Sequence, residues 1–254
     1  MKKLICVLCV ALLGLGGCGE AKKAQTEKVQ ENARESAPKT PAEQEVACNN
    51  GDMESCANLA WRSFSMIDLS QANILSQKAC DGGSGVGCAF LGILHGVSLE
   101  GKDRDKRDKV KAQELWDKAI PMLEKECNNN QAFSCEILGN AYVEAYYGMQ
   151  EDFAKGKKFA EKACDLDKSR CGTLAYIYDR GKGVEQDYSK AIALYKQSCE
   201  AGSDMGCYEM GRSYEHGEGV ERDIHKAKEF YKKACDMGIQ KACAYYQRLQ
   251  DKGE

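Results

Sequence analysis

The chain has 254 residues, with 36 Lys and Arg against 39 Asp and Glu, for a formal charge of −3. That near-balance offers no basic field to a phosphate backbone, so no nucleic-acid partner is expected. Hydrophobic residues at 43% describe a chain able to bury a core, and fifteen cysteines against three prolines make cysteine chemistry the main question.

Met1-Lys2-Lys3 is a basic start, Leu4 to Leu15 is a short apolar run, and Gly16-Gly17 place small residues before Cys18. This is the layout of a secretory signal over residues 1–17, too short to span a bilayer. Leu15-Gly16-Gly17-Cys18 resembles the bacterial lipobox, in which the cysteine is lipidated and becomes the mature N-terminus. Ordinary secretion with a free Cys18 is the alternative. Removing Cys6 and Cys9 with the signal and assigning Cys18 to lipid leaves an even twelve cysteines. Residues 18–44 are polar and lack helical periodicity, which reads as a flexible tether to the membrane. Residues 45–254 then form the folded domain.

The twelve cysteines fall into six pairs at a nearly fixed period: Cys48/Cys56, Cys80/Cys88, Cys127/Cys135, Cys164/Cys171, Cys199/Cys207 and Cys235/Cys243. Five pairs have seven intervening residues and one has six. Eight residues of continuous helix rise roughly 12 Å, whereas a disulfide needs Cα atoms within about 7 Å. A bridged pair therefore requires the chain to turn back between its cysteines. Asp81-Gly82-Gly83-Ser84-Gly85, Asn128-Asn129-Asn130 and Glu200-Ala201-Gly202-Ser203-Asp204 are suitable turns. Each pair is read as a disulfide clamping the end of one helix to the start of the next, in an oxidising compartment. Zinc ligation is the weaker alternative, since structural zinc favours C-x(2–4)-C spacing and the chain has three histidines.

Aligned on the second cysteine of each pair, the chain repeats. Cys135, Cys171 and Cys207 are 36 residues apart. Three positions on stand Leu59, Leu91, Leu138, Leu174 and Met210, and the next residue is small: Ala60, Gly92, Gly139, Ala175, Gly211. Seven positions on stand Tyr142, Tyr178 and Tyr214. Offsets 3, 4 and 7 make one face of a helix A. A helix B follows an Asp N-cap, Asp187 or Asp223, and carries Lys190-Ala191 with Tyr195, Lys226-Ala227 with Phe230-Tyr231, or Lys111-Ala112 with Trp116. Gly181-Lys182-Gly183-Val184 and Gly217-Glu218-Gly219-Val220 turn the chain between the two, with a valine positioned to plug the stack.

These residues resemble Sel1-like repeats, relatives of the tetratricopeptide repeat, and the cysteine pair in every unit resembles the Helicobacter cysteine-rich proteins. The resemblance covers residues 45–254. It implies an all-α, right-handed αα-solenoid of about five helix pairs, each turn stapled by a disulfide. The sequence departs from the pattern in places. The unit from Cys56 to Cys80 lacks the glycine loop, and that from Cys88 to Cys127 carries about a dozen extra residues. The last pair opens a solitary capping helix expected over Ala244 to Lys252.

Few residues offer chemistry. His95 takes the place of the repeat tyrosine and reads as a core histidine, and His216 and His225 have no carboxylates at ligand spacing, so no metal and no cofactor is expected. Ser36-Ala37-Pro38-Lys39 matches a serine-acylation motif only by chance, because it lies in the tether. Glu124/Glu126 and Glu218/Glu221 read as solvated acids, and the charge run from Lys102 to Asp108 as an exposed excursion or a partner contact.

The concave face is the remaining candidate. At offsets 2, 5 and 6 it is expected to present Phe90, Ile93 and Leu94; Ile137, Asn140 and Ala141; Thr173, Tyr176 and Ile177; Glu209, Arg212 and Ser213, the alternative being that several of them pack against the adjacent repeat. The reading is an extracytoplasmic scaffold, in the periplasm or cell envelope, binding a peptide, a protein segment or a peptidoglycan-derived ligand there. The alternative, implied by the family resemblance alone, is a penicillin-binding protein or slow β-lactamase acting on β-lactams.

Overall fold

The computed structural model describes residues 40–65, 68–96, 108–146 and 150–251. The signal, the lipobox, Ser36-Ala37-Pro38-Lys39 and most of the charge run lie outside the described residues. Among the described residues every regular element is a helix. In order these helices are α1 (Pro41–Asn49), α2 (Met53–Ser65), α3 (Leu69–Asp81), α4 (Gly85–Gly96), α5 (Lys109–Asn128) and α6 (Ala132–Glu144). They continue as α7 (Phe153–Leu166), a 3-10 turn (Lys168–Arg170), α8 (Gly172–Arg180), α9 (Tyr188–Glu200), α10 (Asp204–His216), α11 (Ile224–Asp236) and α12 (Gln240–Asp251). From α2 on, even-numbered helices are helices A and odd-numbered ones helices B. None of the described helices is long and apolar enough to cross a membrane. α1 begins inside the segment read as tether, with Pro41 at its first position and Glu43 in its first turn, both favourable there.

One local device recurs at the start of helix B. Asp68, Asp108, Asp152, Asp187 and Asp223 each accept the N–H three residues on, at 2.8–3.0 Å. The backbone N–H of the last four donates to the carbonyl of the offset-7 residue of helix A: His95, Tyr142, Tyr178 and Tyr214. The lysine whose N–H is capped then swings its ammonium over that tyrosine ring: Lys155 over Tyr142 at 5.2 Å, Lys190 over Tyr178 at 5.1 Å, Lys226 over Tyr214 at 5.2 Å. A single Asp-x-x-Lys thus caps helix B and ties it to helix A.

Small residues set the spacing between paired helices. A β-carbon on Gly211 would lie 2.6 Å from the Tyr231 ring, and one on Gly92 3.0 Å from Trp116. In the glycine loops, Gly183 at φ +69° and Gly219 at φ +73° sit against Phe153 and Tyr188, the first residues of the preceding helix B. Each loop therefore rests on the repeat before it. Part of the insertion before Cys127 is helical: Trp116 stands eleven residues ahead of its cysteine, where Tyr195 and Tyr231 stand four ahead. The extra seven residues make about two turns, so both ends keep one face to the core.

All six cysteine pairs are disulfides, with Cα–Cα distances of 4.3–4.8 Å. Each joins the end of a helix B, or of α1, to the start of the next helix A, so the bridges straddle the junctions between repeats. From α2 on, consecutive helices pack, and helices A also touch their own kind across repeats, α2 with α4, α4 with α6 and α6 with α8. Helices B make no contact of that extent. Crowding on one side and spreading on the other bends an αα-solenoid, and helices A form its inner layer.

The last bridge, Cys235–Cys243, differs from the expectation in the bounds of its helix, and from the other bridges in its burial. The capping helix was expected from Ala244, with Cys243 just ahead of it, but α12 already starts at Gln240 and holds Cys243 in its first turn. The reason is local: the Cys243 N–H donates to the Ile239 carbonyl at 3.2 Å, so the backbone is wound before the cysteine is reached. Cys235 and Cys243 are also only half-buried, whereas the ten cysteines of the other five bridges are buried. Among the described residues no helix follows α12 to cover this junction.

Candidate functional site

On the inner face the offset-2 residue of one repeat meets the offset-5 residue of the repeat before. Trp61 stacks on Phe90 at 5.2 Å with ring planes 17° apart, and the Thr173 hydroxyl lies 2.9 Å from Asn140 Oδ1. The stack continues as a ladder across the repeats, since Phe90 packs on Phe133 at 5.8 Å and Arg170 covers the Phe133 ring at 4.1 Å. Glu136 accepts from the Arg170 guanidinium at 2.5 Å. Burial holds the Glu136 carboxyl above its usual range even against that cation.

Towards the C-terminal repeats the face turns polar. Arg212 donates to Glu209 at 2.8 Å and to Glu218 at 3.5 Å. Asp179 is buried beside Arg180 at 3.0 Å. Burial raises the Asp179 and Glu209 carboxyls, with the arginines opposing the shift. Tyr176 bonds to Glu144, and burial followed by that contact raises its hydroxyl.

With Glu209 as the exception, the expected groove residues divide by offset. Ile93, Asn140, Tyr176, Glu209 and Arg212 are half-buried and reach the surface. Phe90, Ile137 and Thr173 are buried, the first and last beneath the offset-5 residue of the preceding repeat. Leu94, Ala141, Ile177 and Ser213 are also buried, which is the alternative of packing against the adjacent repeat and not the groove exposure. Leu94 faces Ala60, Ala72 and Ser76 of the preceding repeat, and Ile177 packs with Val143 and Ala160. Offset 6 is thus rotated off the inner face onto the inter-repeat core.

Two features escape the sequence reading. Trp61, 43% exposed, opens the ladder, and its position five residues after Cys56 was the available signal. Glu126 is not a solvated acid. One carboxylate oxygen accepts the Gly85 N–H and the other the Ser134 hydroxyl, both at 2.6 Å. Likewise Glu218 pairs with Arg212. His95 is half-buried rather than core, and His216 and His225 are exposed. Among the described residues no group of three or more His, Cys, Asp or Glu side chains is placed to hold a metal ion.

Comparison with known proteins places this geometry. The Sel1 repeat family model matches residues 54–84, 86–120, 132–168, 172–203 and 204–239. Cytochrome c oxidase assembly factor 7A of Xenopus laevis is 32% identical over 133 residues, which are 50% of this chain and 53% of that protein. The chain thus spans about half the length of that curated relative. A Sel1 repeat protein of Klebsiella pneumoniae, solved by crystallography, covers 84% of this chain and 100% of its own at 21% identity and a TM-score of 0.50, a likeness of fold. Helicobacter pylori cysteine rich protein B is 30% identical over 51% of this chain and 92% of its own, with a TM-score of 0.42. The matched segments follow the helix pairs and cover well over half of the residues: the chain belongs to the Sel1 repeat family.

Proposed function

We propose that this chain is an extracytoplasmic, disulfide-stapled scaffold whose inner face binds a peptide, a protein segment or a cell-wall component. The observation that carries the reading is the row of accessible side chains on helices A. Trp61, Ile93, Asn140, Tyr176 and Arg212, one per repeat, all sit at offset 5. A regular row of this kind on the inner layer of a solenoid suits an extended ligand running along it. Six disulfides among the described residues fit an oxidising compartment. In this reading residues 1–17 are the export signal, Cys18 carries the lipid, and residues 18–44 tether the repeats of 45–254 to a membrane.

No observation favours β-lactam hydrolysis. Ser213, beside the polar cluster, donates its hydroxyl to the Glu209 carbonyl at 3.0 Å. The twelve repeat cysteines are all in disulfides, and the neighbouring acids are paired with arginines.

Site-specific photo-crosslinking in the native envelope tests the scaffold. A crosslinking residue at Tyr176 or Asn140 is expected to trap a ligand, and one at the exposed outer position Ile74 is not. Equal trapping at both, or turnover of a chromogenic cephalosporin by the purified oxidised protein, would replace this reading.

A further inference from the structure

A cavity of about 160 Å³ opens at the N-terminal end of the helices A, between α2, the α3–α4 turn, the end of α5 and the start of α6. Its apolar lining includes Met53, Val86 and Phe133, and its charged lining is Glu54 and Glu126 with no basic side chain. Glu126 is fixed in place by donors from two different repeats, Gly85 N–H and Ser134 Oγ. The positive helix ends facing the cavity are already engaged. Asp52 accepts the Ser55 N–H at 3.3 Å, Ser84 the Gly87 N–H at 3.2 Å, and Glu126 the Gly85 N–H. What remains for a ligand is an apolar wall with two carboxylates and the amides of Asn58 and Gln131, suited to a long aliphatic stem ending in a cation.

Phe133 already displays that chemistry. One guanidinium, that of Arg170, covers its ring while a glutamate, Glu136, holds the charged end. The cavity offers the same combination, Phe133 with Glu54 and Glu126, to a group from outside. The excess of acid continues along the inner face, where Glu144, Asp179, Glu209 and Glu218 face Arg180 and Arg212.

We infer that this cavity receives a lysine or arginine side chain from an extended protein segment lying along the inner face. This rests on the groove reading above and names what the groove selects. Charge complementarity sets the sign of the partner, and the ladder from Trp61 to Phe133 sets its path. A partner held in this way binds faster and tighter at low ionic strength.

The test is a random dodecapeptide phage library panned on the oxidised, full-length protein. Labelled copies of the recovered peptides are then titrated by fluorescence anisotropy. One recurring lysine or arginine position is expected, and replacing it with norleucine should weaken binding about tenfold. Glu54→Lys, on the exposed rim, should weaken it by about the same factor with unchanged melting, and Glu126→Gln by less because the amide keeps one acceptor. Peptides that lose binding in Trp61→Ala yet show no basic preference and ignore Glu54→Lys would overturn the cation proposal and leave the groove standing. No recovered peptides, or peptides indifferent to both Trp61→Ala and Tyr176→Ala, would overturn the groove as well.

Discussion

Arg170 lies 4.1 Å above the ring of Phe133 while its guanidinium bonds to Glu136, so one side chain of the 3-10 turn is gripped by two residues of α6. Arg170→Ala removes the ring contact and leaves a desolvated carboxylate without its cation. Urea denaturation should show a loss of about 1–3 kcal/mol. Arg170→Lys should recover less than half of it, because an ammonium cannot lie flat on the ring and reach Glu136 together. Full recovery by lysine would show that only the charge matters.

The disulfides close short loops, and chain entropy assigns roughly 2–3 kcal/mol to a loop of this length. Replacing Cys199 and Cys207 together with Ala should cost about that much in denaturant. Excess reductant acts on six bridges and should lower the melting temperature far more than any single pair does. An unchanged melt in reductant would refute this account of the stability.

Two glycines at helix starts make a paired test of packing. A β-carbon on Gly206 would stand 2.8 Å from the Cys199 nitrogen and 2.9 Å from Ser198 Oγ, whereas one on Gly172 meets nothing within 4 Å. Gly206→Ala should destabilise by about 1–3 kcal/mol, since overpacking exceeds the gain in helix propensity. Gly172→Ala should stabilise by about 0.4–1 kcal/mol through the unfolded chain. Thermal melts of the two variants should move in opposite directions.

Buried and capping carboxylates should respond to pH with opposite signs. Burial raises the Asp179 carboxyl, so its stability contribution is fully present below the unfolded value of 3.8 and is lost as pH rises through the higher folded value. Asp179→Asn should therefore gain on the wild type as pH rises through that folded value and show little gain in acid. The Lys190 backbone N–H lowers the Asp187 carboxyl, whose contribution is present above 3.8 and lost as pH falls through its lower folded value. The deficit of Asp187→Asn should shrink in acid. Melting curves from about pH 8 to about pH 3 check both signs.

Much of this architecture is legible in the chain because its contacts are short in sequence. The cysteine spacing forces a turn, and the offsets 3, 4 and 7 mark the buried stripe. Asp187 and Asp223 announce their helix starts, and the same cap recurs at Asp152 and Asp108. What sequence periodicity misses depends on the neighbouring repeat. Leu94 and Ile177 lie beside the inner stripe on a helical wheel, yet the preceding repeat covers them. Glu126 reads as surface until Gly85, 41 residues away, is found against it. Arg170 stands where neighbouring repeats carry Ser134 and Gly206, just before the cysteine. It reaches Phe133 and Glu136 from a repeat that has one residue fewer between the cysteines and enters helix A through a 3-10 turn.

The placement of the disulfides across repeat junctions bears on how such a chain lengthens. Each of the twelve repeat cysteines finds its partner seven or eight residues away, so a bridge closes within one connection and waits for no distant segment. Cutting out residues 136–171, a 36-residue unit, removes Cys164 and Cys171 together and leaves every other repeat cysteine beside its mate. Duplicating the unit adds one complete pair. The gene can gain or shed whole repeats, lengthening or shortening the binding surface, without ever stranding a thiol.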